Sequence, residues 1–144
     1  MMSKLFSNLW TDRTAAAAVE FALIGPVFLG MFFGVMQIGI GMQNYNALRS
    51  ISADTARYAV VNYQTSNQVT AIQMQDYATT VAAAPPYGLR SANFVAFVST
   101  PATQRVAGAT EFQIKLTYTI PTFLQVIGIG AIPVTYTRPI FVLP

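Results

Sequence analysis

Glu20, Asp54, Asp76 and Glu111, with Asp12 nearer the start, are the five carboxylates of a 144-residue chain that contains neither histidine nor cysteine. Paired carboxylates can perform general acid–base chemistry, but Glu20, Asp54, Asp76 and Glu111 fall in four different stretches, with no base or nucleophile pattern beside any of them. Without histidine and cysteine, the common nucleophile–base pairs, thiolate chemistry, disulfides and most transition-metal ligand sets are closed to this chain. No phosphate loop and no glycine-rich dinucleotide turn is present. Catalysis, a metal and a cofactor are therefore not expected. An anchored enzyme would require the fold to bring two distant acids together, for example Asp54 and Glu111.

Glu20 occupies the most demanding setting of the five. It stands at the mouth of a run without charge, Phe21 to Leu48. The part from Phe21 to Ile40 reads FALIGPVFLGMFFGVMQIGI. With its flanks that is about 20–23 apolar residues, or roughly 30–35 Å of helix, enough to cross a bilayer core. An acid at the edge of such a span costs on the order of 1–3 kcal/mol or more unless a cation meets it. Its chemistry is therefore read as electrostatic: a carboxylate awaiting a positive partner.

The elements that must position these groups follow from composition and periodicity. Hydrophobic residues make up 53% and charged residues 9%, far below the roughly 25% charge of an ordinary soluble domain. The surplus is concentrated between Phe21 and Gly41, so the remainder can form a soluble domain. Eight basic and five acidic residues give a net charge of +3. They do not cluster, so no nucleic-acid surface is expected. A secretory signal core would be shorter, about 7–15 residues, and QNYNALRS beyond the run is a poor cleavage site, so a retained anchor is expected. Lys4 and Arg13 flank the start of the run, and the next cation is Arg49. The positive-inside bias places the N-terminus in the cytoplasm and the C-terminal portion outside it. The expected organisation is a leader over residues 1–15, a transmembrane helix over 16–42 and an exported α+β domain over 43–144.

Within that domain, Tyr45, Leu48, Ile51, Thr55, Tyr58 and Asn62 recur at three- and four-residue steps, overlapped by Ser52 and Ala59. The spacing predicts that the membrane helix continues unbroken to about Tyr63, with Asp54 able to meet Arg57 or Tyr58 one turn on. Ser66-Asn67 marks a break. Val69 to Ala84 predicts a second, weaker helix with a stripe of Met74, Tyr77 and Val81, ended by Pro85-Pro86. The period then changes to two. Asn93 to Ser99 is a short strand. Glu111 to Ile120 alternates, with Phe112, Ile114, Leu116, Tyr118 and Ile120 on one face and Glu111, Gln113, Lys115, Thr117 and Thr119 on a wet one. Arg105 to Thr110 would form the hairpin loop. Phe123 to Ala131 is an apolar, glycine-bearing loop that would pack inside the domain or meet a partner or membrane. Ile132 to Val142, with Pro133 and Pro139, suits an edge strand. The expected fold is thus a long N-terminal helix, a second helix and an antiparallel sheet of about three strands.

Three features of the apolar helix have two readings each. Pro26 frees a carbonyl near Ala22, which would make a flexible joint or simply a tolerated membrane proline. Gly30 and Gly34 form a G-x-x-x-G step, either a close-approach surface or background membrane glycine. Glu20 itself is either a partner-seeking charge or an interfacial residue solvated by snorkelling.

The stretch Arg13-Thr14-Ala15 followed by AAAVEF resembles the processing region of type IV pilin-like proteins. More closely, AAAVEFALIGPVFLGMFFGVMQIG followed by LRSISADTARYAV resembles the TadE-type minor pilins, or pseudopilins, of tight-adherence (Tad/Flp) pilus systems. The resemblance covers roughly Arg13 to Ala59; the C-terminal half agrees only in layout. It implies a cut by a prepilin peptidase between Ala15 and Ala16, although many such sites carry glycine where this chain has Ala15. It also implies that Glu20, fifth in the mature chain, pairs with the new ammonium at Ala16 of a neighbouring subunit. Phe21, Leu23, Pro26, Val27, Leu29, Gly30, Phe32 and Gly34 would then take part in helix packing, and Arg49, Asp54 and Arg57 could set subunit register. The implied partners are the major pilin and other minor pilins, an inner-membrane pilus platform and membrane lipid, with no nucleic acid. The implied location is the bacterial inner membrane or the extracellular pilus. A membrane-tethered periplasmic adaptor or chaperone that never enters a filament is the alternative.

Overall fold

A single α-helix, α1, runs from Arg13 to Gln64. Apolar and alanine-rich sequence sustains its first half, and the absence of proline and glycine after Gly41 sustains its second. Pro26 lies inside it. Ser66 stops it by taking a left-handed conformation, φ 61°. There the N–H of Ser66 donates to Tyr63 O at 3.1 Å and that of Asn67 to Asn62 O at 2.9 Å. These two bonds are the pair of a Schellman motif, with serine where glycine is usual. The structure, a computed structural model, describes residues 13–122, 128 and 130–143. The expected leader up to residue 12 and most of the apolar segment Phe123 to Ala131 lie outside the described residues.

The chain divides into two compact units, Met1–Ile38 and Gly39–Pro144. The described part of the first is the first half of α1. Its large apolar side chains are exposed all round, from Phe21 at 77% and Val27 at 63% to Val35 at 71%. A helix that is apolar on every side has no single core-facing stripe, and such a helix is suited to lipid or to other helices. Among the described residues it is the one helix long and apolar enough to cross a membrane.

The second unit is a three-stranded antiparallel sheet with helices on one face. Thr70 opens α2 (Ala71–Ala83) with a capping box: its hydroxyl accepts from Gln73 N–H, and the Gln73 side chain accepts from Thr70 N–H at 2.8 Å. A short 3-10 turn, Ser91–Asn93, leads into β1 (Phe94–Ser99). The strands β2 (Thr110–Ile120) and β3 (Ile132–Val142) complete the sheet in the order β1-β2-β3. Register pairs Leu116 with Ala96 on one side and Tyr136 on the other. The proline-bearing β3 is an edge strand, as its composition requires. The other edge, β1, has its Val98 carbonyl covered by the Gln75 amide of α2 at 3.2 Å.

Phe112, Ile114, Leu116, Tyr118 and Ile120 all point into the core. Leu48, Ile51 and Ala59 of α1 and Met74, Ala78 and Ala82 of α2 close over them. Each fully buried large apolar side chain contributes about 1.5–3 kcal/mol. Ring contacts tie the layers: Tyr63 to Phe112 at 6.2 Å and Tyr45 to Tyr136 at 5.7 Å between centroids. Tyr58 and Tyr77 stack at 4.2 Å, interplanar angle 6°. Two expectations are corrected. The stripe of α2 is rotated: Met74 is buried as expected, but Ala78 and Ala82 are the fully buried partners while Tyr77 and Val81 are half-buried. Glu111, assigned by alternation to the wet face, is 1% exposed.

Candidate functional site

Ala15 and Ala16 lie in the first turns of α1, and Glu20 follows one turn after Ala16 on the same side of the helix. Glu20 is exposed. The one salt bridge among the described residues is elsewhere, between Arg105 and Glu111. Phe21, Leu23, Val27, Leu29 and Phe32 are exposed, as are Pro26 and Gly30, while Gly34 is half-buried. A methyl group added at Gly30 or Gly34 would meet nothing within 4 Å. Among the described residues nothing therefore demands glycine at either position. A groove of about 400 Å³ on this stretch is lined by Phe28, Met31, Phe32, Val35 and Met36.

The expected register residues separate into two kinds. Arg49 and Arg57 are exposed on α1. Asp54 is half-buried, and its partner is neither Arg57 nor Tyr58. Instead the Tyr87 hydroxyl donates to its Oδ2 at 2.8 Å, from the loop that follows α2. Burial, then the hydrogen bond and the charge of Asp54, raise the Tyr87 pKa. This contact ties the loop to α1.

Glu111 is buried because the β1–β2 loop folds back over it. The Arg105 guanidinium pairs with its Oε1, through Nε at 2.8 Å and also through Nη2, while Arg105 N–H donates to Oε2 at 3.2 Å. The Gln104 side-chain oxygen accepts from Glu111 N–H. Arg105 also lies 5.5 Å from the Phe141 ring centroid. The hydrogen bond from Arg105 holds the Glu111 carboxyl below its ordinary pKa, reinforced by the Arg105 N–H and charge and opposed by desolvation. Asp54 and Glu111 thus serve different partners, Tyr87 and Arg105 respectively. Among the described residues there is no group of three or more acidic side chains arranged to hold a metal ion.

Tyr87 and Arg105 carried no signal in the sequence. Each acts through a contact that depends on how a loop returns to a helix or strand, which periodicity does not encode. The N-terminal motif was legible, because it is a contiguous pattern.

Comparison with curated proteins and with solved structures gave no match. The family model for TadE-like proteins matches residues 15–57. That segment begins at the alanine of the expected cleavage site, contains Glu20 and the whole apolar run, and ends at Arg57. Over residues 15–57 the chain is thus similar to TadE-like proteins, and the matched segment falls on a helix long and apolar enough to cross a membrane.

Proposed function

We propose that this chain is a minor pilin or pseudopilin of a Tad-type pilus or secretion apparatus, acting in pilus initiation or assembly and not as an enzyme. A prepilin peptidase cuts between Ala15 and Ala16. The α1 helix then leaves the bilayer for an assembly with the major pilin and other minor pilins on an inner-membrane platform. Before that step the chain is a single-pass inner-membrane protein, N-terminus in the cytoplasm and residues 43–144 in the periplasm.

The observation that carries this reading is the coincidence, within residues 15–57, of the family match with Glu20 beside an apolar helix exposed on every side. A paired charge at a low-dielectric boundary is far cheaper than a lone one. Cleavage supplies the missing cation as a new ammonium at Ala16. Within one chain that amine and Glu20 lie one helical turn apart, so the neighbour's Glu20 must outcompete the chain's own. The exposed Phe21, Leu23 and Val27 supply apolar area for packing against adjacent helices, and Gly30 and Gly34 permit close approach.

Intact mass measurement of the membrane-extracted protein from cells holding the peptidase tests the first step. The expected species starts at Ala16. A full-length species beginning at Met1 in piliated cells would replace this reading with that of a tethered periplasmic adaptor. Glu20→Ala tests the second step: loss of piliation with normal cleavage is expected, and unchanged piliation refutes the charge pair.

A further inference from the structure

The second unit opens with Gly39 to Met42, the last residues of the apolar run, and Met42 is exposed. Immediately beyond them is a cleft of about 260 Å³ between α1 and the loop after α2, with apolar as well as polar lining. Gln43, Asn44, Asn46 and Ser50 of α1 are its polar liners, Ala47, Pro86 and Leu89 its apolar ones, and Tyr87 lines it from the loop, where its hydroxyl also interacts with Ser50. No charged side chain is among the lining residues. Asn44 donates its Nδ2 to Ile40 O at 2.9 Å, which leaves its Oδ1 as an acceptor. The Tyr87 hydroxyl is turned onto Asp54, so the cleft meets its ring.

We propose that this cleft seats the headgroup of a zwitterionic glycerophospholipid, of the phosphoethanolamine class. The inference rests on the reading that α1 crosses a membrane. Position argues for it first: Gln43 to Ser50 cover roughly 10 Å of helix axis beyond the apolar end, comparable to the 5–8 Å of headgroup region on each side of the hydrocarbon. Lining chemistry argues for it second. Side-chain amides donate to phosphate and ester oxygens and accept from an ammonium N–H, matching a headgroup that carries both signs, while Ala47, Pro86 and Leu89 meet its glycerol carbons. An uncharged lining gives no advantage to an anionic headgroup, so the site selects ethanolamine over glycerol phospholipids. Tyrosine at the wall fits the residue preference of the membrane interface.

The full chain reconstituted in vesicles of equal parts phosphatidylethanolamine and phosphatidylcholine, doped with a headgroup-diazirine phosphatidylethanolamine, provides the test. After irradiation, labelled peptides are mapped by mass spectrometry. Labelling should concentrate on Gln43–Ser50 and Tyr87–Leu89, at least about fivefold over Thr65–Thr70, which begins fifteen residues or roughly 22 Å farther along the chain from Ser50 at helical rise. Asn46→Ala, which removes one exposed amide, and Ala47→Trp, which fills the cleft, should each lower that labelling about fivefold, the factor expected for one hydrogen bond lost. Density-gradient flotation of the same samples scores the membrane reading separately. A chain that floats yet labels the two regions equally overturns the headgroup site alone, and a chain that does not float removes the membrane reading and the site together. Suppression of the labelling by a soluble N-acetylglucosamine trimer would make the cleft a sugar site and would equally overturn the proposal.

Discussion

Replacing Tyr87 by phenylalanine removes one oxygen and with it the only hydrogen bond seen from the loop after α2 to an acidic side chain of α1 among the described residues. A hydrogen bond to a charged acceptor contributes about 1.5–3 kcal/mol when desolvated. Both groups here are half-buried, so water competes and the expected loss is toward the lower end, about 1–1.5 kcal/mol. In a domain of about a hundred residues each kcal/mol moves the melting temperature by about 4–8 °C, so Tyr87→Phe should melt about 4–12 °C lower. Near-ultraviolet circular dichroism of the detergent-solubilised chain reads this, since tyrosine packing reports on the second unit. The bond is assigned by a double-mutant cycle with Asp54→Asn, where a coupling of about 1 kcal/mol is expected. The pH dependence supplies a second readout. Burial first, and Asp54 next, raise the Tyr87 pKa. The folded state therefore holds the phenolic proton more tightly than the unfolded one, whose pKa is about 10. The linked stability is fully present below that value and is lost as pH rises through the raised folded value. Tyr87→Phe should lack this alkaline loss. Equal melting temperatures within about 1 °C, with superimposable alkaline profiles, would refute the tie between the loop and α1.

Three further outcomes follow from the same packing. Leu116→Ala should destabilise the chain by about 2–5 kcal/mol in denaturant titration, while Lys115→Ala next to it on the outer face should stay within about 0.5 kcal/mol. Ser66→Gly should stabilise by about 1 kcal/mol, because glycine adopts the left-handed end of α1 without strain; no change in midpoint would contradict that assignment. Glu111→Gln should flatten the acid limb of stability. The Glu111 carboxyl is held below its ordinary pKa, so its contribution is present above the unfolded value of about 4.3 and is lost as pH falls through the depressed folded value. Hydrogen exchange of the β1–β2 loop measures this locally, and identical acid profiles for both proteins would reject it.

What was legible in the sequence was whatever a short window determines. Alternation identifies the buried face of β2 because strand side chains alternate strictly, and Phe112 to Ile120 obey it. The break at Ser66-Asn67, the edge position of β3 and the length of α1 are local in the same sense. Long-range closure was not legible. Glu111 obeys the alternation in direction, but direction does not decide burial when a loop returns over the face. Asp54 offered near neighbours one turn away, yet its bond spans thirty-three positions to a loop tyrosine. In α2, weighting by bulk favoured Tyr77 and Val81, whereas alanines face the core because small side chains let helix and sheet approach.

The two units place the information for function in different locations. In the second, polar groups such as Asp54 and Glu111 find partners inside the chain, and its core explains most of its residue choices. In the first, the chain's own structure explains almost none. Among the described residues Phe21, Leu23 and Val27 are exposed, a side chain at Gly30 or Gly34 would meet nothing within 4 Å, and Glu20 is exposed beside them. Internal packing among the described residues does not account for a sequence this apolar, since most of its large side chains are exposed. A lipid surround would account for the hydrophobicity, but lipid does not require a carboxylate. On the proposed reading the carboxylate meets a cation, and the matched segment beginning at Ala15 contains the bond whose cleavage would create one. On the proposed reading, assembly gives Glu20, the glycines and the exposed apolar residues a common explanation, and an uncut chain in a working filament would leave all three without one.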